Sequence, residues 1–506
     1  MERPNILVVM ADQLAPHFTG AYGHPLVRTP AMDALAERGV RFDAAYCSSP
    51  LCAPSRFSMM SGRLASEIGA FDNGAEFVAS IPTLAHYLRL AGYRTTLSGK
   101  MHFVGPDQLH GFEERLTTDV YPSGFAWAAN WDAAAEHPGK WYYDFESVTE
   151  AGPVLANFQI DYDDEVGFAA VRRLYDLARP HTDERPFFLV ASFTHPHDPY
   201  EARPEWWNLY DHDDIDLPDP IRDEEVDPHT LRIRQGTQGD TAGYTEAHYR
   251  NARHGYYAAT SYFDSWLGRL VDALAETGRL DDTVVIVISD HGDMLGDRGV
   301  FFKMSFFERS ARVPLIMAGP GIPEGTTVPN ACSLVDLLPS LLDIASDGGA
   351  WPEFDTPISG RSLWELACGG SDDVDETVGE YMAVLTSHPL FMIRRGRHKY
   401  IHCDSDPPLL YDVEADPLER TNLADKPGCA ELAAAFAAET AQRWDSAAIR
   451  ARVLASQRSR RAIQAAIGTN GPGWDYRPER DANTEYVRDH TTYAQIGTRS
   501  RVSLPA

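Results

Sequence analysis

No stretch of this 506-residue chain is apolar over anything near the roughly 20 residues that a membrane-spanning helix needs. Cysteine is scarce. The six residues at 47, 52, 332, 368, 403 and 429 show neither the paired spacing of a metal knuckle nor a disulfide framework, so a reducing compartment is the simpler reading. Positive charge is in deficit, with 45 Lys and Arg against 74 Asp and Glu for a formal charge of −29. Such a chain has no generic attraction to nucleic acid or to an anionic membrane, and an anionic substrate would need a local cationic pocket. Internal repeats and low-complexity segments are missing too. The start, Met-Glu-Arg-Pro-Asn, runs into an apolar stretch too short for a signal peptide and without a small-residue cleavage site, which leads us to expect a cytoplasmic protein.

What is present is the composition of a globular enzyme, 43% hydrophobic and 11% aromatic, long enough for a large domain and a smaller one. Residues 5–10, 93–98, 186–193 and 283–289 read as strands, and all but 93–98 are apolar runs, the pattern of strands buried on both faces of a parallel sheet. Residues 40–45 read as a further short strand. Helical patterns lie between them: 29–39, opened by Thr29-Pro30 and closed by Gly39, then 82–91, 166–178 and 244–277, the last open to a break at Gly255. Beyond about 375 the texture changes to short strands at 391–395, 398–402 and 409–412, a helix at 429–444 and a polar, aromatic tail from Trp474. The reading is an α/β catalytic domain over 1–375, with helices on both faces of a large, mostly parallel sheet. A small α+β domain with an antiparallel sheet follows over 376–506.

Each buried run ends in residues able to hold a metal or an anion. Asp12 and Gln13 end the first, Lys100 and His102 the second, His197 the third, and Asp290 with His291 the fourth. Singly, each reads as a helix cap, a hydrogen-bonded histidine or a surface charge. Their shared place at the carboxyl edge of one sheet, where ligands gather in open α/β folds, makes them a candidate site. Cys52 lies where a loop turns into a helix, with Pro54 in the first turn and Arg56 one turn on. A helix start favours negative charge, and the guanidinium fork suits a tetrahedral oxyanion. Residues 105–152 are loop-like and rich in aromatic rings, including Phe125, Trp127, Trp131, Trp141, Tyr142, Tyr143 and Phe145.

Cys52-Ala-Pro-Ser-Arg56, followed by Ser61-Gly62-Arg63, resembles the signature of the formylglycine-dependent sulfatase family. The segments around Asp12-Gln13, Lys100-Met-His102, His197-Asp-Pro, Asp290-His291-Gly and Lys303 fall in that family's order, and Tyr411 to Leu423 matches its small C-terminal domain. The resemblance implies an alkaline-phosphatase-like fold. It also implies oxidation of Cys52 to formylglycine by a separate maturation enzyme, one divalent cation and a sulfo-enzyme intermediate. By the same resemblance Asp12, Asp290, His291 and modified Cys52 hold the metal. Calcium comes first, and manganese or magnesium stay open because His291 stands where many relatives have Asn and Gln13 where many have Asp. Arg56, Lys100 and Lys303 would neutralise the sulfuryl oxygens. His197 and Lys303 would assist the leaving oxygen, and His102 would take the proton that lets sulfate depart.

The long run Gly99-Lys-Met-His-Phe-Val-Gly-Pro-Asp-Gln-Leu-His-Gly111 is similar to choline sulfatases in particular. That points to choline-O-sulfate as substrate, with Trp127 as cage residue, Asn73 and Gln13 as polar contacts and Tyr143 where a His is usual. Aromatic faces suit a quaternary ammonium, which has no hydrogen bond to give. The tail resembles that subgroup's tail and leads us to expect a dimer or tetramer. The alternatives are a phosphonate monoester or phosphodiester hydrolase, or an aryl or alkyl sulfatase, of the same superfamily. From another class, a non-catalytic binder of quaternary ammonium compounds would need the aromatic rings but not Cys52, Lys100, His102 and the carboxylates together.

Overall fold

The apolar runs of the sequence lie side by side. The computed structural model describes residues 3–121, 124–133, 146–179, 183–219, 221–222, 225–237, 243–346 and 356–470. Its first ten strands are β1 (Asn5–Asp12), β2 (Val40–Tyr46), β3 (Arg94–Gly99), β4 (Glu114–Arg115), β5 (Gly152–Pro153), β6 (Phe187–Pro196), β7 (Glu201–Ala202), β8 (Thr283–Ser289), β9 (Leu315–Ala318) and β10 (Thr326–Ser333). Eight of these form one sheet in the order β10-β2-β9-β8-β1-β6-β3-β4. β1 pairs in parallel with β6 and β8, and β3 with β6. β9 alone runs antiparallel to its neighbours. Every residue of β1, β6 and β8 is buried. Successive strand residues point to opposite faces, so the sheet is covered on both sides and the unbroken apolar runs are explained.

The helix over Pro30–Glu37 starts where expected but is capped differently. Thr29 gives no side-chain cap; its hydroxyl donates to Asp33 at 3.0 Å. The first N–H groups donate instead to Asp264, Ala31 at 2.9 Å and Met32 at 2.8 Å. Asp264 belongs to the helix Glu246–Glu276, so a distant element supplies the acceptor that the local sequence seemed to offer. Gly39 serves packing and not a left-handed cap, since a Cβ there would lie 2.1 Å from the Met317 carbonyl oxygen. Gly255 does not break the long helix, which runs through it. A Cβ at 255 would lie 2.1 Å from the Tyr200 carbonyl oxygen, so the glycine lets the chain that leaves β6 cross the helix closely.

A second, antiparallel sheet follows: β11 (Glu376–Tyr381), β12 (Leu390–Arg395), β13 (His398–Cys403) and β14 (Leu409–Asp412). Three of these match the short strands read from sequence. β11 has too few apolar residues to announce itself. Helices Ala430–Arg443 and Ser446–Asn470 end the described chain, and the tail from Trp474 lies outside the described residues. Among the described residues no helix is long and apolar enough to cross a membrane.

A buried ion cluster pins the two sheets together. Lys399 on β13 donates to Glu308 at 2.8 Å and forms an ion pair with Glu419 at 2.6 Å. Glu308 also accepts from the hydroxyl of Tyr46, the last residue of β2, at 2.9 Å. Removing one partner of such a cluster leaves charge buried and uncompensated. Lys399→Met should therefore lower unfolding stability by about 3–5 kcal/mol in urea titrations, and a loss below about 1 kcal/mol would contradict the pin.

Candidate active site

The carboxyl ends of β1, β3, β6 and β8 deliver Asp12, Lys100, His197 and Asp290 to one edge of the sheet. Helix Cys52–Ser61 brings Cys52 and Arg56 to the same place. The turns that do this are tight. Gln13 and His102 adopt positive φ of 68° and 61°, a conformation that side chains other than glycine seldom take away from functional sites. Gly99, at φ 106°, precedes Lys100, and a Cβ there would lie 1.9 Å from the Ser192 carbonyl oxygen.

Asp12, Cys52, Asp290 and His291 are buried and offer ligand atoms that all lie within 4.8 Å of one another. His291 Nδ1 is 3.0 Å from the Gly292 carbonyl oxygen, which can only accept, so Nδ1 carries the proton and Nε2 keeps its lone pair. Nε2 faces Cys52 Sγ at 3.2 Å and Asp12 Oδ1 at 3.8 Å. Burial first, and the neighbouring lysines against the pull of Asp290, bring the imidazole down to about 3, so it is neutral. Burial alone would raise Asp290, but Arg56 first, and Lys100 with it, outweigh it and hold the carboxyl well below its ordinary value. Two carboxylates, a sulfur position and a correctly turned imidazole make a donor set that fits a divalent cation, harder in its oxygens than in its nitrogen.

Cations surround this set. Arg56 Nε donates to Asp290 Oδ2 at 2.8 Å, while Nη1 donates to the Lys100 carbonyl at 2.7 Å and Ser192 Oγ at 2.9 Å. Its Nη2 is buried without a hydrogen-bond partner among the described residues, 3.4 Å from Asp12 Oδ2, and stands ready for an anionic oxygen. Lys100 is bonded to Asp12, and burial lowers its ammonium to about 7. Lys303 donates to Gln13 Oε1 and sits 2.9 Å from His197 Nε2. His197 Nδ1 donates to the Asp198 carbonyl at 2.7 Å, which leaves Nε2 to accept. Gln13 is committed on all sides. Its Nε2 donates to Asp293 Oδ2 at 2.7 Å and Asp198 Oδ1 at 3.4 Å, and its Oε1 takes Lys303.

His102 is buried, and neither ring nitrogen has a hydrogen-bond partner among the described residues. Its ring lies 5.0 Å from Tyr121 and 5.4 Å from Trp127, which are 4.9 Å apart. Asn73 Oδ1 accepts from the Ala53 N–H at 3.0 Å, beside Cys52. Tyr143 lies outside the described residues.

Sequence reading missed several residues here. Tyr121 covers Lys100 at 4.1 Å from its ring centre and approaches His197 Nε2 with its hydroxyl at 3.5 Å. Asp119 accepts the Met101 and His102 N–H groups at 3.1 and 2.9 Å and so holds the turn that bears His102. Asp293 takes Gln13 and the Tyr200 hydroxyl, the latter at 2.8 Å. Of these, Asp293 had the visible signal, three residues after Asp290 in one motif. Tyr121 and Asp119 sit in the aromatic loop without a periodic pattern to mark them.

The sulfatase family profile matches residues 4–347, more than half the chain. The chain belongs to the sulfatase family. This sulfatase also matches the C-terminal region of choline sulfatase enzymes over 451–502 and that of N-sulphoglucosamine sulphohydrolase over 296–445. It is 46% identical over 497 residues to a choline-sulfatase of Rhizobium meliloti, covering 96% of both chains. An arylsulfatase of Clostridium perfringens is 28% identical over 83% of this chain and 90% of its own. Among solved structures, the phosphonate monoester hydrolase of Agrobacterium radiobacter superposes with a TM-score of 0.70 at 26% identity, covering 89% of this chain and 96% of that one. As a sulfatase the protein is a sulfuric ester hydrolase. Elemental analysis of purified protein should find about one divalent ion per chain, and Asp290→Asn should lower that content about tenfold or more, as loss of a charged ligand does.

Proposed function

We propose that this sulfatase hydrolyses choline-O-sulfate to choline and sulfate, with formylglycine made from Cys52 as the nucleophile. The observation that supports the reading best is the wall of Trp127, Tyr121 and His102 beside the metal-ligand cluster. A sulfate held by the cations would place its ester substituent against those rings, and aromatic faces suit a quaternary ammonium. The near full-length likeness to a choline-sulfatase supports the same substrate.

In this reading Asp12, Asp290, His291 and modified residue 52 hold one divalent cation, calcium in preference to manganese or magnesium. When bound, that ion supplies Lewis-acid charge at the nucleophile and at the sulfuryl oxygens. The protein's own cations do the rest of the electrostatic work. Arg56 Nη2, Lys100 and Lys303 face oxygens whose negative charge grows as the ester bond breaks. His197 Nε2, kept in line by its Nδ1 bond, shares the Lys303 proton and delivers it to the leaving alcohol oxygen. His102, neutral and with no partner at either nitrogen among the described residues, takes the proton whose removal releases sulfate. Gln13 is best read as the positioning residue for Lys303, in place of the direct substrate contact expected from sequence. The reading keeps the division into 1–375 and 376–506, a cytoplasmic location, a homo-oligomer and a separate maturation enzyme.

Turnover of choline sulfate should exceed that of 4-nitrophenyl sulfate and of a phosphonate monoester in kcat/KM, and equal or reversed rates would refute the substrate. Mass spectrometry of the Cys52 peptide from active protein should show a loss of about 18 Da relative to the thiol. Fully active protein with an intact thiol would refute the nucleophile. Trp127→Ala should raise KM for choline sulfate about 3- to 30-fold, the value of a desolvated cation–π contact, with a smaller effect on the aryl ester.

A further inference from the structure

We propose that Arg460 is a positioning residue for substrate selection, the centre of a clamp by which the C-terminal helix Ser446–Asn470 holds Asn73 and Trp127 in register. The proposal rests on the choline sulfate reading only for which substrate responds.

The clamp is built on Asp72, which is fully buried. Arg460 Nη1 donates to its Oδ1 at 2.5 Å and Nη2 to its Oδ2 at 3.0 Å, a forked pair with both partners inside the protein. The same oxygens each take one backbone N–H: Oδ1 from Gly74 at 3.0 Å and Oδ2 from Ala129 at 3.1 Å. One carboxylate thus joins the turn that bears Asn73 to the segment that follows Trp127. Packing closes the same joint. A Cβ on Gly74 would lie 2.4 Å from the Ala128 nitrogen and 2.7 Å from the Trp127 carbonyl carbon, so the two backbones touch.

The helix grips the aromatic segment again further on. Gln457, also buried, accepts the Trp131 N–H at 2.8 Å, and Arg458 makes a forked pair with Asp132 at 2.7 and 2.8 Å. Trp131 is anchored at its other end by donation from Nε1 to the Ala383 carbonyl at 2.6 Å. None of these groups is among the metal-ligand or cationic residues of the site. What they fix is the distance between Asn73, which accepts from Ala53 beside Cys52, and the ring of Trp127. Gln457, Arg458 and Arg460 lie within the region that matches choline sulfatase C-termini. The clamp gives that region a physical task, to hold the wall against which the ester substituent lies.

Misplacing a positioning element costs up to about 100-fold in rate, and the loss falls on the substrate that uses the element. Arg460→Gln and Gln457→Ala should each lower kcat/KM for choline sulfate about tenfold or more, chiefly through KM, while 4-nitrophenyl sulfate loses less than about threefold. Arg460→Lys, which keeps the charge without the fork, should recover part of the loss. Gly74→Ala should reproduce the discrimination without touching the ion pair. Hydrogen exchange gives a readout free of substrate: backbone protection over 124–133 should fall in Arg460→Gln while the β1 peptide stays protected. Equal losses on both esters, or unchanged protection over 124–133, would overturn the clamp. If the unaltered enzyme shows no preference for choline sulfate, the substrate reading fails, and the exchange result alone then decides for or against the clamp.

Discussion

Burying like charges together is the constraint on which this protein is organised. Asp12 and Asp290 converge with Cys52 and His291 on a point inside the molecule, where two carboxylates cannot both stay ionised without compensation. Arg56 and Lys100 supply it, Lys100 on Asp12 and Arg56 on Asp290 Oδ2 at 2.8 Å. The surrounding fold is the means of holding these charges still.

That explains why the site needs the centre of the sheet. Parallel strands buried on both faces have no freedom at their ends, and β1, β3, β6 and β8 each present a charged or imidazole side chain within a residue or two of the last ladder bond. Close backbone approaches set the final ångströms: Gly99 against Ser192, and left-handed turns at Gln13 and His102. The hydrogen bonds from His291 Nδ1 and His197 Nδ1 to backbone carbonyls then decide which nitrogen faces the chemistry. Such control of tautomer by a neighbouring acceptor is as necessary as the ligands themselves.

The second sheet and the C-terminal helix act on the site from outside it. Lys399, Glu308 and Glu419 join β13 to the end of β2, from which the chain runs directly to Cys52. Arg460 and Gln457 reach the aromatic segment through Asp72 and Trp131. The candidate site of this sulfuric ester hydrolase is thereby tied to an aromatic segment by contacts that lie outside it. An arylsulfatase and a phosphonate monoester hydrolase resemble the same frame, and a frame alone does not fix which ester is cleaved.

The sequence by itself determined the parallel sheet, the strand ends at Asp12, Lys100, His197 and Asp290, and the Cys52–Arg56 motif. Continuous apolar runs and local motifs are short-range properties, legible without a partner. It misread the cap of helix Pro30–Glu37 and the role of Gly255, and it passed over Tyr121, Asp119 and β11. For the cap, the glycine and Tyr121 the deciding atom belongs to a remote segment: Asp264, the Tyr200 carbonyl and Lys100 in turn. Only the tertiary structure decided that Gln13 is spent on Lys303 and that Asp72 ties Asn73 to Trp127. Hydrogen-bond capacity is finite, and which partner uses it depends on what the fold brings within 3 Å or so.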